Sequence, residues 1–147
     1  YSLKVKHFFM FTSKITYLGE LRTEAVHINS GNQIITDAPT DNLGKGEAFS
    51  PTDLVATALG SCMLTILGIK ANQLEKNIIG ASIHVTKIMY SEPRRIGEIE
   101  IHLQIPDDNF TGKEKQILIN AAHTCPVAKS LNTSIQQKIK IEFLKKD

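Results

Sequence analysis

Residues 54–69 carry no charge at all, and the segment just before them is built to start a helix. Ser50 suits an N-cap. Pro51 suits the first helical position, where its missing N–H costs nothing, and Asp53 suits the positive end of the helix dipole. Ser50 and Asp53 together resemble a capping box with Asp in place of Glu. The pattern predicts a helix from Pro51 to about Gln73. Val55, Leu59, Cys62, Ile66 and Ile69 fall along one seam at steps of four and three, and the opposite side (Ala56, Gly60, Met63, Leu67) is uncharged too. A helix apolar on every side has to be covered on every side, so a buried central helix is expected. The uncharged run is short for a membrane span and includes Thr, Ser and Gly; no membrane association is expected.

Around this helix the sequence reads as strands. Residues 14–18 and 25–29 are short strand candidates, with Val26 and Ile28 on one face. Asn29-Ser30-Gly31-Asn32 is a turn signal that joins the second of these to 33–36 as a hairpin. A polar loop over 37–46 follows, carrying Pro39, Gly44 and Gly46. After Gly80, Ile83 and Val85 alternate with polar residues, and Pro93-Arg94-Arg95 lies in a turn region. Ile99, Ile101, Leu103 and Ile105 then mark a half-buried strand that Pro106 is expected to end. Thr111 with Glu114 forms a capping box for a helix to about His123. Cys125-Pro126 opens a short helix to about Leu131, and Ile139, Ile141 and Phe143 share one face of a last strand. The order of elements predicts an α+β fold with a mostly antiparallel sheet, as one domain over 1–147.

Composition narrows the function classes. With 41% apolar and 22% charged residues the chain is globular rather than disordered. A net charge of +2, from scattered basic residues, argues against a nucleic-acid partner. The apolar run at 7–11 is shorter than a secretory h-region, so a cytoplasmic location is the expectation. The five histidines show no ligand spacing, and no metal site is expected. Gly44-Lys45-Gly46 is too short to cradle a phosphate, and no nucleophile elbow appears.

Two cysteines far apart are no disulfide framework; in a reducing compartment they are inert core thiols or redox-active ones. Cys125 precedes Pro126 and so sits at an N-cap, beside unpaired N–H groups. That placement is expected to lower its pKa, and a protonated His123 nearby would add to the effect. The plainer reading is a small residue filling an N-cap. Cys62 lies mid-helix on an apolar seam, where burial raises a thiol pKa. Read alone it is a core filler, and it becomes a nucleophile only with a cation aimed at it. Arg22, Arg94, Arg95 and the lysines are all open as that cation.

The residues from Ser50 to Cys62, Ser-Pro-Thr-Asp-Leu-Val-Ala-Thr-Ala-Leu-Gly-Ser-Cys, resemble the signature of the OsmC/Ohr family: a Pro-opened helix with small residues leading to a cysteine. Cys125-Pro126-Val127-Ala128-Lys129-Ser130-Leu131 resembles that family's second cysteine motif. Gly44 to Pro51 is similar to the lead-in of its OsmC-like branch. The resemblance implies an intertwined homodimer, with sheets wrapped around long central helices and active sites at the subunit interface. It implies a peroxidase that takes organic hydroperoxides, with Cys62 as peroxidatic thiolate and Cys125 as resolving thiol. It also implies a dithiol reductant as co-substrate, lipoyl- or thioredoxin-like, and no bound cofactor. An arginine of the N-terminal strands holds the thiolate charged in this family, and Arg22 is the arginine before the helix. A carboxylate orients that arginine. Typical members carry a Glu directly after the helix-opening proline, where this chain has Thr52. Glu47 is the expected substitute, with Asp53 second. That departure keeps two other readings open: a weakly catalytic or non-catalytic protein binding an apolar small molecule at the dimer interface, and a redox sensor.

Overall fold

The computed structural model describes residues 11–145. His7 and the rest of the apolar run up to residue 10 lie outside them. The chain forms two compact units, the first ending at Pro51 and the second beginning at Thr52.

The first unit is an antiparallel sheet of β1 (Ser13–Gly19), β2 (Arg22–His27) and β3 (Gln33–Asp37) in that order. The expected strand at 25–29 is displaced toward the N-terminus. The His27 N–H donates to Asn32 O at 2.8 Å, which closes the β2–β3 hairpin there and puts Ile28 and Asn29 in the turn. The β1–β2 turn follows Gly19, which itself takes a positive φ of 85°. Glu20 and Leu21 both take left-handed φ, at 54° and 62°. That is the primed geometry whose twist suits a tight hairpin, usually supplied by Asn-Gly. Ile15, Tyr17, Leu18 and Ile34 are exposed on this sheet.

In the second unit, α1 (Pro51–Gln73) has the expected bounds and is followed by β4 (Ser82–Tyr90) and β5 (Arg95–Asp107). Then come α2 (Gly112–Ala122), α3 (Pro126–Ser130) and β6 (Gln136–Lys145), with the strands ordered β4-β5-β6. The buried face of α1 is not the expected seam. It consists of Ala56, Leu59, Gly60, Met63, Leu67 and Ala71, and of the seam residues only Leu59 is among them. Small residues decided this. A Cβ on Gly60 would stand 3.0 Å from Val85 Cγ2 and 3.2 Å from Ile83 Cγ2, so β4 is packed against bare helix backbone. Leu59, Met63 and Leu67, fully buried, are each worth roughly 1.5–3 kcal/mol of burial. Ile69 on the other side is 51% exposed, so the described chain does not cover the helix all round. By length and composition alone α1 would also suit a membrane span; its buried face packs instead into the core with Ile99, Ile101, Leu103 and Ile105 of β5.

β4 and β5 pair antiparallel, whereas β5 and β6 pair parallel, from Glu98↔Gln136 to Asp107↔Lys145. The sheets are therefore mostly antiparallel, with one parallel pairing. A parallel neighbour needs a long crossover, which α2 and α3 supply. Pro106 does not end β5. The β4 partner strand has already stopped at Ser82↔Gln104, so a missing N–H there breaks no β4 bond. The Thr111–Glu114 capping box is formed, with both reciprocal hydrogen bonds present.

Candidate redox site

The two cysteines meet inside the second unit. Cys62 is half-buried on α1 and Cys125 is fully buried ahead of α3, and both belong to the same packed core. Both are free thiols. Cys125 is the N-cap of α3 as expected, with extended φ/ψ and its Sγ accepting the Ala128 N–H at 3.3 Å. The electrostatic consequence differs from the expectation. Burial is the dominant influence and pushes the Cys125 thiol up, which outweighs the lowering by the Ala128 and Val127 N–H groups. The neighbouring Cys62 side chain, within hydrogen-bonding reach, pushes it up further. A helix end favours a thiolate only where water or a cation also reaches it; Cys125 has 0% exposure. His123 is an exposed C-cap of α2, its N–H donating to Asn120 O at 3.2 Å.

Arg22, the first residue of β2, lies in the first unit. Its Cα partner across the sheet is Asp37, the last residue of β3. Directly opposed residues share a sheet face and bring their Cβ atoms within reach. Arg22 Nε donates to Asp37 Oδ1 at 2.7 Å and Nη2 to Asp37 Oδ2 at 2.9 Å, a two-point fork. Nη2 also reaches Glu47 Oε2 at 3.1 Å. Asp37 is 1% exposed, against 66% for the Glu47 side chain. The guanidinium pulls the Asp37 carboxyl below the ordinary carboxylate range, helped by the Glu47 backbone N–H. The two carboxylates in turn push Arg22 up, so it keeps its charge at any working pH.

The loop after β3 is folded back onto this cluster. The Asp37 N–H donates to Phe49 O at 3.0 Å, and Gly46 N–H to Ala38 O at 3.2 Å. Gly44 lies so close to the Ala38 carbonyl that no side chain fits there. Lys45 Nζ pairs with Glu20 Oε2 at 2.6 Å. The Gly-Lys-Gly stretch thus closes a loop and brings Glu47 back to Arg22.

Asp53, second choice as the arginine's partner, pairs with Lys87 Nζ at 2.8 Å, and Thr52 Oγ1 accepts from the same Nζ at 2.9 Å. Arg95 is tied into the β4–β5 turn, donating from Nη1 to Ser91 O and Pro93 O and lying over the Tyr90 ring. The residue missed in the sequence is Asp37, placed there at the start of a polar loop. Its signal was faint: an Asp closing the Ile34-Ile35-Thr36 strand, and facing Arg22 once the hairpin register is known. Among the described residues no group of three or more His, Cys, Asp or Glu is arranged to hold a metal ion.

A half-buried thiol on a Pro-opened helix next to a buried one at a second helix start, on this order of elements, defines an OsmC-type protein. Residues 44–140 match the family model described as OsmC-like protein, and the chain belongs to that family. A solved Psychrobacter arcticus protein, described as a candidate osmotic stress induced and detoxification response protein, is 55% identical. It aligns over 90% of this chain and 96% of its own, with a TM-score of 0.87. An OsmC-like protein of Mycoplasma pneumoniae has the same fold at 17% identity, covering 92% of this chain and 97% of its own (TM-score 0.76). So does the organic hydroperoxide resistance protein OhrB of Bacillus subtilis, at 19% identity, 90% and 98% coverage and TM-score 0.61. No match was found among curated proteins.

Proposed function

We propose that the protein reduces organic hydroperoxides through its two cysteines. The Cys62 thiolate attacks the peroxide, the O–O bond breaks, and an alcohol leaves with one added proton while Cys62 becomes a sulfenic acid. The Cys125 thiol then condenses with that sulfenic acid, releasing water and forming a disulfide. An external dithiol takes the disulfide back to two thiols and is itself oxidised to a disulfide. None of these three steps requires a metal or prosthetic group.

The observation that carries this reading is the neighbouring placement of the two thiols, with Cys125 buried and its pKa pushed up by that burial. A thiol raised by burial is the poorer first nucleophile and a suitable partner for a sulfenic acid, which supports Cys62 in the attacking role. Arg22 is proposed as the cation that sustains its thiolate, and a homodimer as the working assembly. The exposed apolar residues of the first unit's sheet and of α1 support a second copy as their cover. The relatives named for hydroperoxide resistance support the substrate class, and the cytoplasm is the proposed compartment.

The test is a thiol count before and after one equivalent of cumene hydroperoxide, with mapping of any new bridge. Two thiols should vanish into a Cys62–Cys125 disulfide. Cys62→Ser should lose dithiol-dependent peroxide consumption, and Cys125→Ser should stop at the sulfenic acid. Full peroxide consumption by Cys62→Ser would overturn the proposal.

A further inference from the structure

The structure assigns Gln137 as the residue that positions the resolving thiol: its side-chain amide ties β6 to α3 and so holds Cys125 beside Cys62. The inference rests on the peroxidase reading above, and every residue it uses lies in the second unit. Gln137 is a polar residue at an apolar position. It precedes Ile139, Ile141 and Phe143 on β6 in steps of two, and side chains two apart along a strand share a face. Those three pack against the core, and Gln137 stands in register with fully buried Ile99 of β5. An amide on a core-facing position needs a partner. Gln137 Nε2 has one, donating to Ala128 O at 3.0 Å.

Ala128 is also the residue that holds the sulfur. Its N–H donates to Cys125 Sγ at 3.3 Å and its carbonyl accepts from Gln137, so one residue links the thiol to the sheet. α3 has five residues, far too few to persist as a helix alone. The last carbonyls of a helix lack partners within it, and Ala128 O lies in that stretch. Val127, Ala128 and Leu131 pack against the core. Apolar contact is non-directional and keeps the segment in place without fixing its rotation; the Gln137 bond adds the direction. Direction matters for the closing step. Cys125 Sγ bonds to Cys62 Sγ, the S–O bond of the sulfenic acid breaks, and water leaves with the hydroxyl and the thiol proton. Groups already placed for reaction close as one molecule. Gln137 bonds to Ala128 rather than to either sulfur, so it is a positioning residue that acts through α3.

The experiment compares Gln137→Met, Gln137→Glu and, at the exposed neighbouring position, Gln136→Met in the full chain. Both Gln137 variants keep the reach of the side chain and lose its donor. Sulfenic acid formation at Cys62 is read by dimedone trapping after cumene hydroperoxide, and closure by timed mapping of the Cys62–Cys125 bridge. Closure is also driven without peroxide by excess diamide. One thiol adds across its N=N bond, the other then expels the hydrazine, which leaves with both protons, and this second step does not depend on diamide concentration. Thermal unfolding is recorded alongside. Gln137→Met is expected to slow closure about tenfold with either oxidant and to change the sulfenic step by less than about twofold, the effect of orphaning one part-buried carbonyl. Gln136→Met should match wild type throughout. A folded Gln137→Met protein that closes at the wild-type rate or faster would sink the inference. Equal slowing of both steps would sink it too, since that marks general loosening. Should Gln137→Met fail to fold, Gln137→Glu decides on the same terms. A wild-type protein that consumes no peroxide ends the peroxidase reading instead, while the diamide rates still judge Gln137.

Discussion

The two units handle polarity in opposite ways. Around Cys62 and Cys125 the second unit gathers buried Leu59, Met63, Leu118 and the isoleucines of β5, and its two thiols are neutral groups that tolerate a dry core. Around Arg22 the first unit has a single buried carboxylate, bounded by the charged side chains of Glu47, Lys45 and Glu20 within reach of water. A thiol can sit in the apolar core because its neutral form carries no charge to desolvate. A guanidinium never loses its charge, so its burial has to be compensated by opposite charge, here the buried Asp37 and the exposed Glu47. The contrast teaches why burial raises the pKa of Cys125, while the Arg22 cluster shifts its own groups toward the charged forms.

Alkylation of Cys125 should break that contrast most visibly if burial is not what governs it. In the folded, reduced protein Cys125 should react at least about tenfold more slowly near pH 8 than in the unfolded chain, where the ordinary thiol pKa is about 8.5. The sign follows from the direction of the shift: a thiol raised by folding contributes stability in full below the unfolded value and loses it as pH rises through the folded one. Stability should therefore fall on the alkaline side, and mass-mapped alkylation against pH checks both statements. Asp37 has the opposite sign. Its lowered carboxyl stabilises above about pH 3.9 and loses that contribution as pH falls through its folded value, so its clamp on Arg22 should survive at pH 5. Backbone amide exchange over 38–49 reads that directly.

Packing in the second unit supplies the next two effects. Leu67→Ala removes a fully buried side chain and should cost about 2–5 kcal/mol in denaturant unfolding. Gly60→Val forces a side chain into the 3.0 Å approach of Val85, and should cost about 1–3 kcal/mol as overpacking. The smallest change belongs to the first unit's outer brace. Glu20→Gln removes one partner of the exposed Lys45 pair, and its midpoint should stay within experimental error of wild type. A large loss there would mean that the loop depends on its outer salt bridge rather than on Asp37.

The helix over Pro51–Gln73, the Thr111 capping box and the Cys125 N-cap were legible in the chain because each is a local event. A proline, a cap residue and a run of apolar side chains act on backbone a few residues away, whatever the rest does. The motifs carrying Cys62 and Cys125 were likewise enough to identify the family. Only the tertiary structure decided which side of α1 is buried, since the apolar pattern is uniform around it and the close approach of β4 to Gly60 is a long-range fact. It alone made β6 parallel to β5, it alone set Asp37 opposite Arg22, and it alone withdrew Cys125 from the water that its helix end would have needed to lower its pKa. Those outcomes depend on strand register and solvent exclusion, quantities no single stretch of sequence contains.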